Sequence, residues 1–402
     1  MGILSIFSKK SVDVIRDNTG EYSYWFTDNA FGNNKEYLKW SLTNPVLMTV
    51  IAIRSKLYSQ MEIMHLDSSG NPIENSEVLK KFKNPNYFQS QQDFLFQQMW
   101  FLSATGENYT YSPKRFKADE VPSVMYNLIP SQLDFGNVQN LDSFIVQEKD
   151  KKKFREQKIK YTLNDTEKNI ELNDLIPFYD LANNIEPNSW MSSPSRIDGI
   201  KDVLCNIEEN LKSKNINLKM SQKYLASNKS GIDGTPMIGE EDREAIERTF
   251  GSKAFHITNA NVDVKHLVSD LKRLYLDESF NRDAMKVLLA YEMNKDVLNY
   301  SSDDGSTYEN QEQGTIRYIQ NGVQSSADAS MNSFADSFGL IEKGESLKAS
   351  FNHLPVMQVV MKTRMETLKA YQETISIGLE NGTITTVEAK KMSDKLIIDL
   401  GL

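Results

Sequence analysis

The hydrophobic pattern is most regular between residues 193 and 338, where apolar side chains recur at helical spacing in three long stretches. Ile197, Ile200, Leu204, Ile207 and Leu211 line one side of the first. Ser193-Pro194 supplies a start signal, a serine cap with proline at the first helical position. The predicted helix runs to about residue 221 and spans roughly 40 Å. A second helix is expected over 269–299 on Leu271, Leu274, Phe280, Leu288 and Tyr291, with Asn281-Arg282-Asp283 interrupting the stripe. Between them lies a small α/β passage. It has a strand at 224–226, a turn-rich loop at 230–236, a short helix at 239–250, and strands at 254–258 and 262–267 joined by a 259–261 hairpin loop. A polar loop at 300–306 leads to a third helix from Thr307 towards Phe338, with Gly314 and Gly322 as expected kink points. Two long helices carrying a compact module describe a stalk with a head.

The flanking regions read differently. Residues 1–40 are polar and aromatic (Tyr22, Tyr24, Trp25, Phe26 and Phe31) and suggest an extended arm that packs by its rings. Asn44-Pro45 opens a helix whose apolar face is Val46, Val50, Ile53 and Leu57. A strand over 61–66 ends at the Ser69-Gly70-Asn71-Pro72 turn, a helix covers 91–104, and 105–111 returns as a strand. From 124 to 179 the pattern is antiparallel β, with strands at 125–129, 144–147, 158–163 and 176–179. The basic run at 149–155 falls inside this region and reads as a solvated hairpin tip, with phosphate contact as the alternative. A strand at 347–351 precedes a helix from Pro355 to Glu380 that Asn381-Gly382 stops with a left-handed cap. Thr385 or Thr386 caps a last helix, with Glu388 near its first turn.

Composition narrows the function. At 402 residues, with 39% hydrophobic and 25% charged positions, the chain should fold into two or three regions. Its net charge of −9 argues against a basic nucleic-acid footprint, yet suits a surface that lets DNA pass without gripping it. The single cysteine, Cys205, allows no internal disulfide and reads as a small core residue. The first ten residues fit neither a signal peptide nor a myristoylation site, and no apolar run is long enough for a membrane span. No phosphate-cradling Gly-x-x-x-x-Gly-Lys-Ser/Thr occurs, and Gly231, Gly234 and Gly239 read as turn glycines. His65, His256, His266 and His353 do not stand at metal spacing, and Asp303-Asp304-Gly305 lacks the later ligands of a calcium loop. Neither enzyme chemistry nor a cofactor or metal is expected.

Four local matches carry a resemblance. Trp190-Met191-Ser192-Ser193-Pro194-Ser195 is similar to a Gly-x-Ser-Pro helix start, with the glycine replaced; residues 224–267 follow in order as a small head. Thr307-Tyr308-Glu309-Asn310-Gln311-Glu312 is similar to Thr-x-x-Asn-x-Glu. Residues 380–390 are similar to Gly-x-Ile/Leu-Thr-x-Asn-Glu-x-Arg, with Val387 and Lys390 at the asparagine and arginine positions. In this order they resemble the portal proteins of tailed bacteriophages, the HK97-type family. Residues 294–298 depart from that family, which commonly has Gly-Val-Pro-Pro there.

The resemblance implies an α+β, portal-type architecture: an arm (1–40), a mixed wing (41–190), a two-helix stem (191–222 and 268–299), and a small α/β clip (223–267). A tunnel loop (300–307), a long kinked helix (308–346), and a wing edge with a short helical crown (347–402) complete it. It further implies a virion protein at the capsid portal vertex, assembled in the bacterial cytoplasm. The ring would usually have twelve copies, and double-stranded DNA would cross it without sequence preference during packaging and ejection. Other partners would be the major capsid protein, a head-tail adaptor and, transiently, the large terminase. The loop residues Ser301, Ser302, Asp303, Asp304, Gly305 and Ser306 would face DNA, and Lys272 and Arg273 would lie on the stem surface. The alternative reading is a non-viral stalk-and-head scaffold.

Overall fold

The computed structural model describes residues 34–113, 124–136, 155–163, 166–182, 191–220, 224–228, 262–266, 276–298 and 308–400, with backbone only at 216–220, 224–228, 262–266, 308–309 and 394–400. The arm expected over 1–40 gives way at Asn34, since α1 (Asn34–Thr43) is helical and buries Tyr37; residues 1–33 lie outside the described residues. Asn44 caps α2 (Pro45–Ser59), its side chain accepting from Leu47 N, with Pro45 where a missing N–H costs nothing. The buried face is Leu47, Val50, Ile51, Arg54 and Tyr58, turned slightly from the expected one, and Val46, Ile53 and Leu57 sit at its margin. An arginine in mid-face drives this rotation, because its partner lies inside the protein.

Ser90 and Asp93 form a capping box that starts α4 (Gln91–Thr105), and Gly106 ends it in a left-handed conformation. The α2–α4 pair is antiparallel: Gln91 Nε2 donates to Met61 O at one end, and Trp100 Nε1 donates to Ser41 Oγ nearer the other. A short helix that the pattern did not announce, α3 (Glu77–Lys83), is capped by Ser76. Phe334, on α8 (Gln324–Ser337), fills the centre of the core, its ring 5.0 Å from Phe82 and 4.9 Å from Phe178. Burying that side chain contributes about 1.5–3 kcal/mol.

The strands form small antiparallel sheets. β1 (Glu62–Leu66) pairs with β10 (Ser346–Ser350), nearly the length of the chain away. His65 Nδ1 lies 2.7 Å from Ser76 Oγ and Nε2 3.0 Å from Glu345 Oε2, tying that sheet to the α3 cap. β2 (Glu107–Tyr111) lies between β3 (Tyr126–Leu128) and β7 (Leu175–Tyr179). β4 (Leu133–Asp134), β5 (Lys158–Leu163) and β6 (Thr166–Glu171) make another sheet over a satellite cluster that includes Tyr109, Phe135 and Ile159. The expected strand at 144–147 and the basic run up to residue 154 lie outside the described residues; Arg155 is exposed.

After a 3-10 turn at Asp198–Ile200 the chain enters α5 (Lys201–Met220). The helix therefore starts later than Ser193 and spans about 30 Å. Ser193 and Pro194 are used elsewhere, as backbone packed against Gly106. Cys205 is exposed, a correction to the core reading: it is one residue past Leu204 and so about 100° off the buried Leu204–Ile207 stripe. β8 (Tyr224–Asn228) and β9 (Val262–His266) pair antiparallel. The glycine loop, the 239–250 helix and the 254–258 strand lie outside the described residues.

The second arm, α6 (Leu276–Ala290), ends well before the expected residue 299. Glu292 N donates to Leu289 O and Met293 N to Leu288 O, a Schellman closure with Glu292 at φ 58°. The third helix is α7 (Tyr308–Tyr318), then a π segment (Ile319–Val323), then α8. Gly322 sits in the π segment, as the kink expectation required, and a Cβ there would come within 2.9 Å of the Tyr318 ring. Gly314 is no kink. It lies in regular helix where a Cβ would meet that of Asp296 at 3.0 Å, so the glycine serves close packing. α9 (Pro355–Glu380) closes through Gly382 at φ 68°, and α10 (Thr386–Leu400) starts on a Thr385–Glu388 capping box, both as the sequence indicates.

Candidate functional site: the helical arms and their buried anchor

Among the described residues, polar contacts hold the α5 and α6 arms side by side. Asn210 Nδ2 donates to Leu276 O at 2.8 Å, and Lys214 Nζ meets Asp277 Oδ1 at 2.7 Å. Where both arms meet the rest of the protein the chemistry is denser. Arg54 from α2 reaches Asp180, just past β7, with Nη2 2.6 Å from Oδ1. Arg196 Nε donates to the other Asp180 oxygen. Arg196 Nη1 then donates to Ala290 O at 2.8 Å and Glu292 Oε1 at 2.9 Å, gripping the α6 terminus. Arg54 also donates to Ser103 Oγ and to Ser326 Oγ. The two guanidinium carbons lie 5.9 and 6.0 Å from the Tyr291 ring centroid, and Tyr291 donates its hydroxyl proton to Ser103 O.

The Arg54 and Asp180 side chains are 2% and 0% exposed, so their charges survive only by pairing. Burial alone would push the Asp180 carboxyl up, but Arg54 and Arg196 outweigh it and hold it below the usual carboxylate range. Burial is the largest single effect on Arg54 and lowers it, but Asp180, with Tyr318 and Tyr291, together outweigh it, so Arg54 is held above the usual guanidinium value and stays charged. One carboxylate thus ties α2, the strand end after β7, and both arm roots into one unit.

A second buried acid sits one strand over, Glu107 opposing Tyr179, the residue before Asp180, in the β2–β7 ladder. Glu107 Oε1 accepts from Asn34 Nδ2 at 2.8 Å, and its Oε2 lies 3.1 Å from the Tyr109 hydroxyl. That hydroxyl also donates to Met191 O. A phenol has one proton to give, so the set is fully satisfied when Glu107 itself carries a proton. Burial pushes the Glu107 carboxyl up to about 7, against the polar contacts with Asn34, Tyr109 and Ser193 N, which pull the other way. Because the folded value exceeds the ordinary 4.5, this group's stability is present at acid pH and lost as pH rises through about 7. Glu107→Gln should remove that loss, making the variant more stable than wild type by up to ~3 kcal/mol at pH 8 and flattening the profile between pH 5 and 8. Urea unfolding across that range is the measurement; a wild-type stability that rises towards pH 8 would contradict it.

Of the residues singled out from the sequence, Ser301, Ser302, Asp303, Asp304, Gly305, Ser306, Lys272 and Arg273 lie outside the described residues. Their flanks are described. The chain leaves α6 through a 3-10 turn at Lys295–Leu298 and returns in α7, which packs on that turn at Gly314 and Asp296. The anchoring residues Arg54, Asp180, Arg196 and Glu292 were missed. Arg54 alone leaves a signal, a lone charge in the Leu47, Val50, Ile51, Tyr58 stripe.

No protein-family model matches the sequence, and no curated protein does. Solved structures do match. A chain in the neck of an empty gene transfer agent particle, computed with C6 symmetry, superposes with a TM-score of 0.63 at 13% identity, over 84% of this chain and 90% of that one. One in the neck of a native gene transfer agent particle, computed with C12 symmetry, gives 0.59 at 11% identity, over 89% and 93%. An HK97 family phage portal protein from Corynebacterium diphtheriae gives 0.50 at 10% identity, over 81% and 99%. At these identities the likeness is one of fold, and the chain has the α+β fold of the HK97-type phage portal proteins.

Proposed function

We propose that this chain is a portal protein, a structural subunit of the ring at one capsid vertex through which double-stranded DNA enters at packaging and leaves at infection. The fold carries the reading: two helical arms rooted on a buried ion cluster, with a strand pair between them. The neck with C12 symmetry supports twelve copies. In this reading residues 41–190 form the wing, 191–222 and 268–299 the stem, 223–267 the clip, and 300–307 the tunnel loop. The major capsid protein, a head-tail adaptor and the terminase meet the ring from outside. The work is mechanical. Arms packed around a closed ring must hold their angle while DNA moves past, and the Asp180 anchor sets that angle at the arm roots.

Asp303 and Asp304 give the loop a negative charge that, repeated around the ring, repels phosphate and favours sliding over gripping. Electron microscopy of the purified chain should show twelve-fold rings with a central hole; a compact monomer under every assembly condition would favour the stalk-and-head scaffold instead. Within rings, replacing Asp303 and Asp304 by lysine should slow DNA packaging or ejection, and unchanged translocation would count against the sliding role.

A further inference from the structure

Glu107 differs from Asp180 in what surrounds it. The contacts that act on its charge come from neutral groups: the Asn34 side chain on α1, the Tyr109 hydroxyl on its own strand, and the Ser193 N–H from the segment before α5. Across the ladder stands Tyr179 on β7. Burial, and after it the charge of Glu107, push both phenols far above their ordinary range, so neither ionises near neutral pH. Asp180, the next residue, has its charge met by Arg54 and Arg196. Glu107 is therefore the group at this junction whose charge changes near neutral pH.

The count of hydrogens shows what that change does. The Tyr109 hydroxyl stands between Glu107 Oε2 and Met191 O. When Glu107 carries a proton, the carboxyl donates to the phenol oxygen and the phenol donates to Met191 O, so every partner is satisfied. Without that proton one O–H faces two acceptors, and the carboxylate is the stronger. The hydrogen turns to Glu107, and the Met191 carbonyl, in a residue 8% exposed, loses the donor it has among the described residues. A buried carbonyl without a partner is costly, and a buried carboxylate without a cation draws water. Residues 191–193 lie against both groups, and their bond to Tyr109 is the one that has gone.

We propose that Glu107 is a proton-operated latch on the segment that leads into α5: with its proton it holds 191–193 against β2 through Tyr109, and without it that segment opens to water. The latch goes beyond the ring reading and does not depend on it. Because Arg196 follows in the same segment, opening also slackens the grip on Ala290 and Glu292. Hydrogen exchange of the full chain tests this at pH 6 and pH 8, on either side of the value near 7, with the intrinsic base-catalysed rate divided out. Low urea separates local opening, which ignores it, from global unfolding, which it promotes. The reporters are the Ser193 and Ile197 amides, held by Glu107 and by Ser195 Oγ. Their urea-independent exchange should be about tenfold or more faster at pH 8 than at pH 6 in wild type. Glu107→Gln, whose amide donates to Tyr109 as the protonated acid does, should stay slow at both; Tyr109→Phe, which keeps the ring and removes the link, should be fast at both. Infrared spectra should show a protonated carboxylic acid at pH 6 that is absent at pH 8 and absent from Glu107→Gln. A pH response confined to urea-dependent exchange would mean that Glu107 weakens the whole fold without opening the segment, and would overturn the latch. So would a Glu107 that is ionised at pH 6, or a Gln variant that opens as wild type does.

Discussion

Asp180→Asn should destabilise the protein by about 3–5 kcal/mol, the largest loss expected from any single polar substitution here. Asparagine keeps the size of the side chain and removes its charge. Two guanidiniums, with side chains 2% and 13% exposed, would then face each other; Arg196 would keep Glu292, while Arg54 would lose the carboxylate it is buried against. The loss does not measure how much the pair stabilises the wild type, because taking three charges out of water already costs several kcal/mol. It measures the penalty of a buried charge left alone. The double variant Asp180→Asn/Arg54→Met should therefore recover part of the loss, and a double-mutant cycle reads the coupling directly. Urea unfolding at pH 7 is sufficient; a loss below about 1 kcal/mol, or strict additivity in the cycle, would refute the anchor. In the ring proposed above, the same change should loosen the arm roots, so images of the rings should show α5 and α6 blurred beside a sharper remainder.

Gly106→Ala is the second large effect. Gly106 has φ 82°, where a side chain costs about 1–2 kcal/mol, and a Cβ there would come within 2.4 Å of Pro194 O and 2.9 Å of Ser193 O. Those neighbours are backbone and cannot swing aside. The segment is further pinned by Ser195, whose hydroxyl donates to Ala104 O, and by Asp180 N donating to Gly106 O. A combined cost of about 2–4 kcal/mol follows, with the lower bound set by φ alone. Calorimetry checks it, and alanine tolerated within about 0.5 kcal/mol would mean that 193–195 shifts freely. Because that shift would drag Arg196, the variant should also weaken the Asp180 anchor, and the two substitutions should be non-additive.

Local signals in the sequence were read well where the local answer is also the global one. The Asn44-Pro45 start, the Ser90 region helix, β5 and the Pro355–Glu380 helix with its glycine stop follow from caps, periodicity and turn residues. Ser193-Pro194 misled because it satisfies a helix-start pattern while its backbone is committed to Gly106 and its neighbour Ser195 to Ala104. The early end of α6 was hidden for a related reason: a glutamate, not a glycine, takes the left-handed position, and Arg196 holds it there. The pairing of β1 with β10 and the Arg54–Asp180–Arg196 anchor join residues far apart in the chain, and no local spacing encodes them. The portal resemblance rested on element order, which survives when such pairwise detail is invisible.

The β8–β9 pairing has an evolutionary consequence. Tyr224 opposite His266 and Asn228 opposite Val262 bring the two chain ends of the intervening segment together in fixed register. Whatever lies between can lengthen, shorten or change sequence at a loop-closure cost of only about 0.6 kcal/mol per doubling. The ion cluster at the arm roots lies outside that segment and keeps its own contacts. Selection can thus rework the segment between the two strands while the rest of the fold stays constant, a division of labour written into one short ladder of hydrogen bonds.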